Sequence, residues 1–207
     1  SGRVTDLNFP GVEVSDDELL RFEQQLQTLL PQIEYVVVAG SLPRGVTPER
    51  LSQWLHSLAE QGKKVLFDSS GAAMAAGLTA KPFLIKPNEH ELADWAGQPL
   101  ESLESLMAAA ESLQQRYDIP HVVVSRGADG VLWRAGSSWW QAKPPRMSVV
   151  STVGAGDSMV AGLAWGLSQS WPMEKILRLA SAVSALAVTQ IGVGVADPQQ
   201  LADLMAS

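Results

Sequence analysis

The string Ser151-Thr152-Val153-Gly154-Ala155-Gly156-Asp157-Ser158 is the part of this sequence best suited to chemistry. Two glycines with one alanine between them let a backbone approach a ligand closely. The free N–H groups of the helix that follows point into that space, and the helix dipole favours negative charge there. Such an anion hole suits the charge that builds on a phosphoryl group during transfer. Asp157 falls in the first turn, where a carboxylate serves either a reaction or only the helix dipole; its place after a strand favours the reaction. The string is not a Walker A loop, because no Gly-Lys-Ser/Thr follows.

Three further constellations stand beside it. In Lys86-Pro87-Asn88-Glu89-His90-Glu91, Asn88 and Glu91 lie three apart at a helix start and project to one side. Oxygen ligands of this kind suit Mg²⁺, usually through water. The same pair also makes a capping box, and the spacing leaves both readings open. Ser125-Arg126-Gly127-Ala128-Asp129-Gly130 offers glycines against which a nucleotide can lie, or simply a tight turn between two strands. Gly40-Ser41-Leu42-Pro43 is a turn leaving a strand, or a substrate contact through Ser41.

The elements that must position these residues follow from patterning. Tyr35–Ala39 is a continuous β-branched run that reads as a strand buried on both faces. Lys64–Asp68, Phe83–Ile85 and Val122–Val124 read as further strands, with Val131–Arg134 and Ser138–Ala142 as a meander. Ser15-Asp16-Asp17-Glu18 is a capping box opening an amphipathic helix, and Thr47-Pro48 starts the next. Helices are also predicted over Ala72–Ala76, Glu89–Trp95, Leu103–Tyr117, Ser158–Leu167, Glu174–Gln190 and Pro198–Met205. Alternation of strand and helix predicts a mostly parallel sheet covered on both faces, with ligands beyond the carboxyl ends of the strands. That rule selects five loops: 40–45, 68–71, 86–91, 125–130 and 151–157.

Composition narrows the function. The chain has 207 residues, 46% apolar and 18% charged, which is ordinary for a folded domain. It has no cysteine, so disulfides and Cys-based zinc sites are excluded, and its three histidines are scattered. The net charge of −7 makes it a poor general binder of nucleic acid or anionic membrane. No apolar run approaches the ~20 residues of a membrane span, and the N-terminus is not a signal peptide, so the cytoplasm is the expected location. The chain opens without Met, directly into strand-like sequence, as a piece of a longer protein would. A nicotinamide-dependent Rossmann enzyme is disfavoured, since no Gly-x-Gly-x-x-Gly follows the first strand.

Taken together, Gly40-Ser41-Leu42-Pro43-Arg44-Gly45, Lys86-Pro87-Asn88-Glu89-His90-Glu91-Leu92, Val124-Ser125-Arg126-Gly127-Ala128-Asp129-Gly130 and Val150–Met159, in this order, resemble the phosphofructokinase-B branch of the ribokinase-like sugar kinases. The resemblance covers about residues 4–207. It implies a three-layer α/β/α fold lacking its N-terminal strands and most of a lid sheet, with Arg3–Phe9 as a remnant lid strand. It implies ATP, Mg²⁺ and a monovalent cation as cofactors, and a phosphosugar as the other substrate. The implied reaction moves the γ-phosphate of ATP to fructose 1-phosphate, giving fructose 1,6-bisphosphate. Tagatose 6-phosphate and fructose 6-phosphate are alternative acceptors, and a non-catalytic nucleotide-binding module is the alternative to an enzyme.

The resemblance also implies roles. Asp157 would take the proton from the attacking sugar hydroxyl, and Gly154, Ala155 and Gly156 would stabilise the transferring phosphoryl group. Asn88 and Glu91 would organise Mg²⁺. Lys86, Asn88, Ser125, Arg126, Gly127, Gly130, Ser151, Thr152 and Val153 would line the nucleotide, with Ser184 and Ala185 under its adenine. Ser41 would meet the phosphosugar beside Gly156 and Asp157. The full-length protein would be a homodimer.

Overall fold

The computed structural model describes residues 11–190 and 197–206. The expected strand over residues 3–9 lies outside them. The centre is a six-stranded sheet in simple sequence order: β1 (Tyr35–Ala39), β2 (Lys64–Asp68), β3 (Leu84–Ile85), β4 (His121–Ser125), β5 (Val131–Ala135) and β6 (Ser138–Ala142). The first four strands are mutually parallel, and β5 and β6 return antiparallel as the predicted meander. The helices are α1 (Asp16–Leu29), α2 (Pro48–Glu60), α3 (Gly71–Leu78), α4 (Glu89–Ala96), α5 (Leu103–Tyr117), α6 (Ala155–Ser168), α7 (Met173–Ala187) and α8 (Pro198–Ala206).

Alternation along each strand sorts the core into two layers. Val65, Phe67, Ile85, Val122 and Val124 face a cluster with buried leucines of α2 and α5 and Met74 of α3. Leu66, Leu84, Val123, Val131 and Trp133 face the opposite way, onto Val160 and Leu163 of α6 and Ile176 and Ala180 of α7. Helices on both faces of a mostly parallel sheet make the three-layer α/β/α architecture. The pairing of α6 with α7 is close: a Cβ on Gly162 would sit 2.8 Å from the Ala180 Cα. That approach fixes both helices against the sheet, and both border the site.

Four sequence expectations are corrected. Tyr35–Ala39 is not buried on both faces: among the described residues β1 is an edge strand, and Val37 is 46% exposed. Val36 and Val38 pack inward, so the β-branched run reflects one buried face and strand propensity rather than two buried faces. Helix α6 begins at Ala155 rather than Ser158, because Gly154, at φ 80°, turns the chain directly into it. Helix α3 runs from Gly71 to Leu78, longer than Ala72–Ala76, and α7 ends at Ala187 rather than Gln190.

Candidate active site

The carboxyl ends of β1 to β4 lie at one end of the sheet, so the loops leaving them share that end. The turn between β4 and β5 and the chain leaving β6 lie there too, because β5 runs antiparallel to both neighbours. Hydrogen bonds tie these loops together. The Gly40 N–H donates to the Asp68 carbonyl at 2.9 Å, and the Ser69 hydroxyl donates to the Gly40 carbonyl at 2.8 Å. The Ser125 N–H donates to the Pro87 carbonyl at 3.0 Å, bridging Asn88 to Ser125. The Val150 and Ser151 N–H groups both donate to the Val188 carbonyl at the end of α7.

At the centre, Lys86 Nζ lies 3.1 Å from Asp68 Oδ2, with the two side chains 5% and 14% exposed. A Cβ placed on Gly156 would lie 3.5 Å from Lys86 Nζ and 3.8 Å from Asp68 Oδ2. The ion pair therefore sits directly beside the first turn of α6. Burial pushes the Asp68 carboxyl above its ordinary value, Lys86 pulls it back, and the charges of Glu91 and Asp157 push it up again. Asp68, Lys86, Glu91, Gly156 and Asp157 thus share one charged neighbourhood. Asp157 itself is exposed.

No side chain caps α6. Its first three N–H groups have no partners inside the helix, and that of Ala155 makes a 3.3 Å contact with the Thr152 carbonyl just before it. The loop before it is braced by Ser151, whose Oγ accepts from the Val153 N–H at 3.2 Å. Beside this helix start is a cavity of about 480 Å³, walled mostly by carbon. Its lining includes Gly127, Ala128 and Gly130 of the β4–β5 turn, Pro144–Met147 and Val149 of the long loop after β6, and Thr152 and Ala155. Ser181, Ser184, Ala185 and Val188 supply the face of α7 and the residue just past it. Gly130 holds φ +96°, and a Cβ there would fall 2.1 Å from the Ala142 carbonyl oxygen, so only glycine keeps this turn against β6.

Apart from Glu91, whose charge acts on Asp68, the remaining candidates lie outside that centre. Asn88 and Glu91 form the reciprocal capping box: Glu91 N–H donates to Asn88 Oδ1 at 2.9 Å, and Asn88 N–H donates to Glu91 Oε2 at 2.8 Å. Arg126 pairs with Glu89 at 2.9 Å, bracing the turn at the start of α4, and neither Ser125 nor Arg126 lines the cavity. Val153 is 58% exposed. Ser41 is exposed on the loop after β1, next to the Gly40 that is tied to Asp68.

Sequence reasoning marked the 68–71 loop without giving Asp68 a role. An acidic residue ending an otherwise buried strand run was the available signal. The segment Pro144–Val149 gave no signal, because it joins the cavity only through the path the chain takes back across the sheet.

The sequence matches the model of the pfkB family carbohydrate kinases over residues 3–200, and the chain belongs to that family. Among curated proteins it is 52% identical to 1-phosphofructokinase of Vibrio cholerae, over 97% of this chain and 63% of that protein. It is 49% identical to 1-phosphofructokinase of Escherichia coli K12, over 99% of this chain and 65% of that protein. The chain thus spans a little under two thirds of the length of these relatives. Among solved structures, phosphofructokinase-2 of Escherichia coli in complex with potassium superposes with a TM-score of 0.86 at 31% identity, over 96% of this chain and 64% of that one. A ribokinase of Arabidopsis thaliana complexed with ribose and ATP shares the fold, with a TM-score of 0.74 at 24% identity over 93% of this chain and 60% of that one.

Proposed function

We propose that this chain carries the nucleotide-binding and phosphoryl-transfer part of an ATP-dependent phosphosugar kinase, with fructose 1-phosphate as acceptor and fructose 1,6-bisphosphate as product. The observation that carries the reading is the junction at the start of α6. There an uncapped helix end, a buried lysine and an exposed carboxylate adjoin an apolar cavity. A nucleoside triphosphate needs both halves of that arrangement: an apolar slot for its base and an anion hole for its phosphates.

In this reading Asp157, exposed at the mouth of the site, accepts the proton of the attacking sugar hydroxyl. The N–H groups from Gly154 to Gly156 hold the charge developing on the transferring group, and Lys86 supplies a fixed positive charge beneath them. Among the described residues no group of three carboxylates or histidines converges tightly enough to cage a metal alone. The chemistry of the donors fits Mg²⁺ shared with phosphates and held through water, since Glu91 Oε1 is not used in the capping box. When bound, the ion supplies charge neutralisation on the phosphates. A monovalent cation has its support in the potassium complex of the E. coli neighbour. The expected homodimer stays part of the proposal; one neighbour is a tetrameric inhibited form of phosphofructokinase-2. No helix among the described residues is long and apolar enough to cross a membrane.

Fructose 1-phosphate is preferred over fructose 6-phosphate because the curated relatives at 48–52% identity are named 1-phosphofructokinases. Calorimetric titration of this chain with MgATP tests the nucleotide half. Coupled ADP release by the natural protein at its full length, with fructose 1-phosphate, fructose 6-phosphate and tagatose 6-phosphate compared, tests the acceptor. Binding of MgATP and a kcat/KM highest for fructose 1-phosphate are the expected results. Absence of nucleotide binding at millimolar concentration overturns the reading.

A further inference from the structure

One buried hydroxyl governs the loop that leaves β1. Ser69 follows the last residue of β2 and is 9% exposed. The β1–β2 ladder ends where the Gly40 N–H donates to the Asp68 carbonyl at 2.9 Å. A further rung would need a main-chain N–H for the Gly40 carbonyl. None donates to it among the described residues, as the chain turns away at Ser70, the N-cap of α3. The Ser69 hydroxyl supplies the bond instead, at 2.8 Å.

Gly40 takes its direction from these two bonds. It stands at φ +95°, and a Cβ built on it would meet nothing within 4 Å, so packing does not hold it. A glycine in open space has the widest choice of backbone angles. The Gly40 carbonyl shares a planar trans peptide with the Ser41 N–H, and the two point opposite ways. Fixing the carbonyl therefore fixes the Ser41 N–H, which has no partner among the described residues. The loop so held adjoins the reacting end, because the Asp68 that accepts from Gly40 also pairs with Lys86 and lies beside Gly156. Stability is little involved. Gly40 is exposed, so water can take its carbonyl when the hydroxyl is lost.

We propose that Ser69 is a positioning residue for the acceptor: through Gly40, its hydroxyl aims Ser41 at the phosphosugar. It acts on the loop rather than on the sugar itself. This rests on the reading of the chain as part of a phosphosugar kinase with Ser41 at the acceptor. Loss of the hydroxyl weakens acceptor binding and leaves the nucleotide half untouched.

The test compares Ser69→Ala, Ser69→Thr and Ser69→Val in the natural protein at its full length. Thr and Val have nearly the same shape, so the hydroxyl is the difference between them. KM for fructose 1-phosphate should rise about tenfold in Ser69→Ala and Ser69→Val with kcat nearly unchanged, the pattern of lost uniform binding. Ser69→Thr should restore KM relative to Ser69→Val. MgATP affinity by calorimetry and the melting temperature of Ser69→Ala should match the wild type. An unchanged KM in Ser69→Ala, or equal KM in the Thr and Val variants, overturns the assignment while the kinase reading stands. MgATP affinity falling as far as acceptor affinity makes Ser69 a general support of the sheet end and also overturns it. A wild type that phosphorylates no sugar phosphate overturns the kinase reading, and this inference with it.

Discussion

The Lys86 ammonium and the Asp68 carboxylate stand 3.1 Å apart at the ends of neighbouring parallel strands, almost closed off from water, with Gly156 next to both. Removing one partner of such a pair leaves the other charge buried without compensation. Asp68→Asn is therefore expected to lower unfolding free energy by about 3 kcal/mol in urea titration. The double variant Asp68→Asn/Lys86→Met should recover most of that loss, because both charges go together.

Glu91 separates a capping role from a metal role. Glutamine at the third helical position can still accept the Asn88 N–H bond, so Glu91→Gln keeps the capping box and discards only the charge. Stability should change by less than about 0.5 kcal/mol. The Mg²⁺ concentration giving half-maximal turnover in the full-length protein should rise several-fold. An unchanged Mg²⁺ requirement assigns Glu91 to capping alone.

Gly156 tests the approach of the phosphoryl group. An added Cβ meets Lys86 Nζ at 3.5 Å, an ordinary van der Waals contact, so the fold of Gly156→Ala should be kept. The methyl would nonetheless occupy the space between the helix start and the lysine. The melting curve should stay close to wild type while turnover falls about 10²-fold, as a small misplacement at the reacting centre suffices to do.

His121 gives the fold its own pH dependence, far from the site. It lies edge-on to Phe83 and Trp133, and its Nδ1 accepts the Trp133 indole N–H at 3.3 Å. Burial, with help from the Lys64 charge, lowers its pKa from 6.5 to about 4. Between these values the unfolded chain binds the proton and the folded one does not. Stability is thus full above pH ~6.5 and is lost as the pH falls toward ~4, by on the order of 2–3 kcal/mol. Urea titrations across that range should show the decline, and His121→Phe should flatten it.

The parts of the fold legible in the sequence were those with a local cause. The strands β2 and β4 have unbroken apolar centres, Val65-Leu66-Phe67 and Val122-Val123-Val124, and α1, α2 and α4 announce themselves through Ser15, Thr47 and Asn88, whose side chains do cap them. Position in the sheet was not local. Nothing in Val36-Val37-Val38 says which strand lies outside it, so the exposure of Val37 went unread. The site shows the same division. Glycines and carboxylates at loop spacing marked the start of α6 and the 86–91 turn. The Lys86–Asp68 pair depends on the β2–β3 register, and the cavity beside α6 depends on how α7 lies against residues 144–149. Neither is a property of spacing.

Asp157 is the residue on which the proposed phosphoryl transfer depends most directly. In the full-length protein, Asp157→Asn should lower kcat by about 10²–10⁴-fold, the range expected for loss of a positioned base acting on a sugar hydroxyl. ATP affinity, measured separately by calorimetry, should hold or tighten slightly, because the proposed nucleotide contacts are backbone N–H groups, Lys86 and the cavity walls rather than that carboxylate. A kcat that hardly changes would contradict the account and leave Asp157 as a helix-start residue. A collapse of ATP binding together with kcat would contradict it too, by making the carboxylate a support for the 151–157 loop.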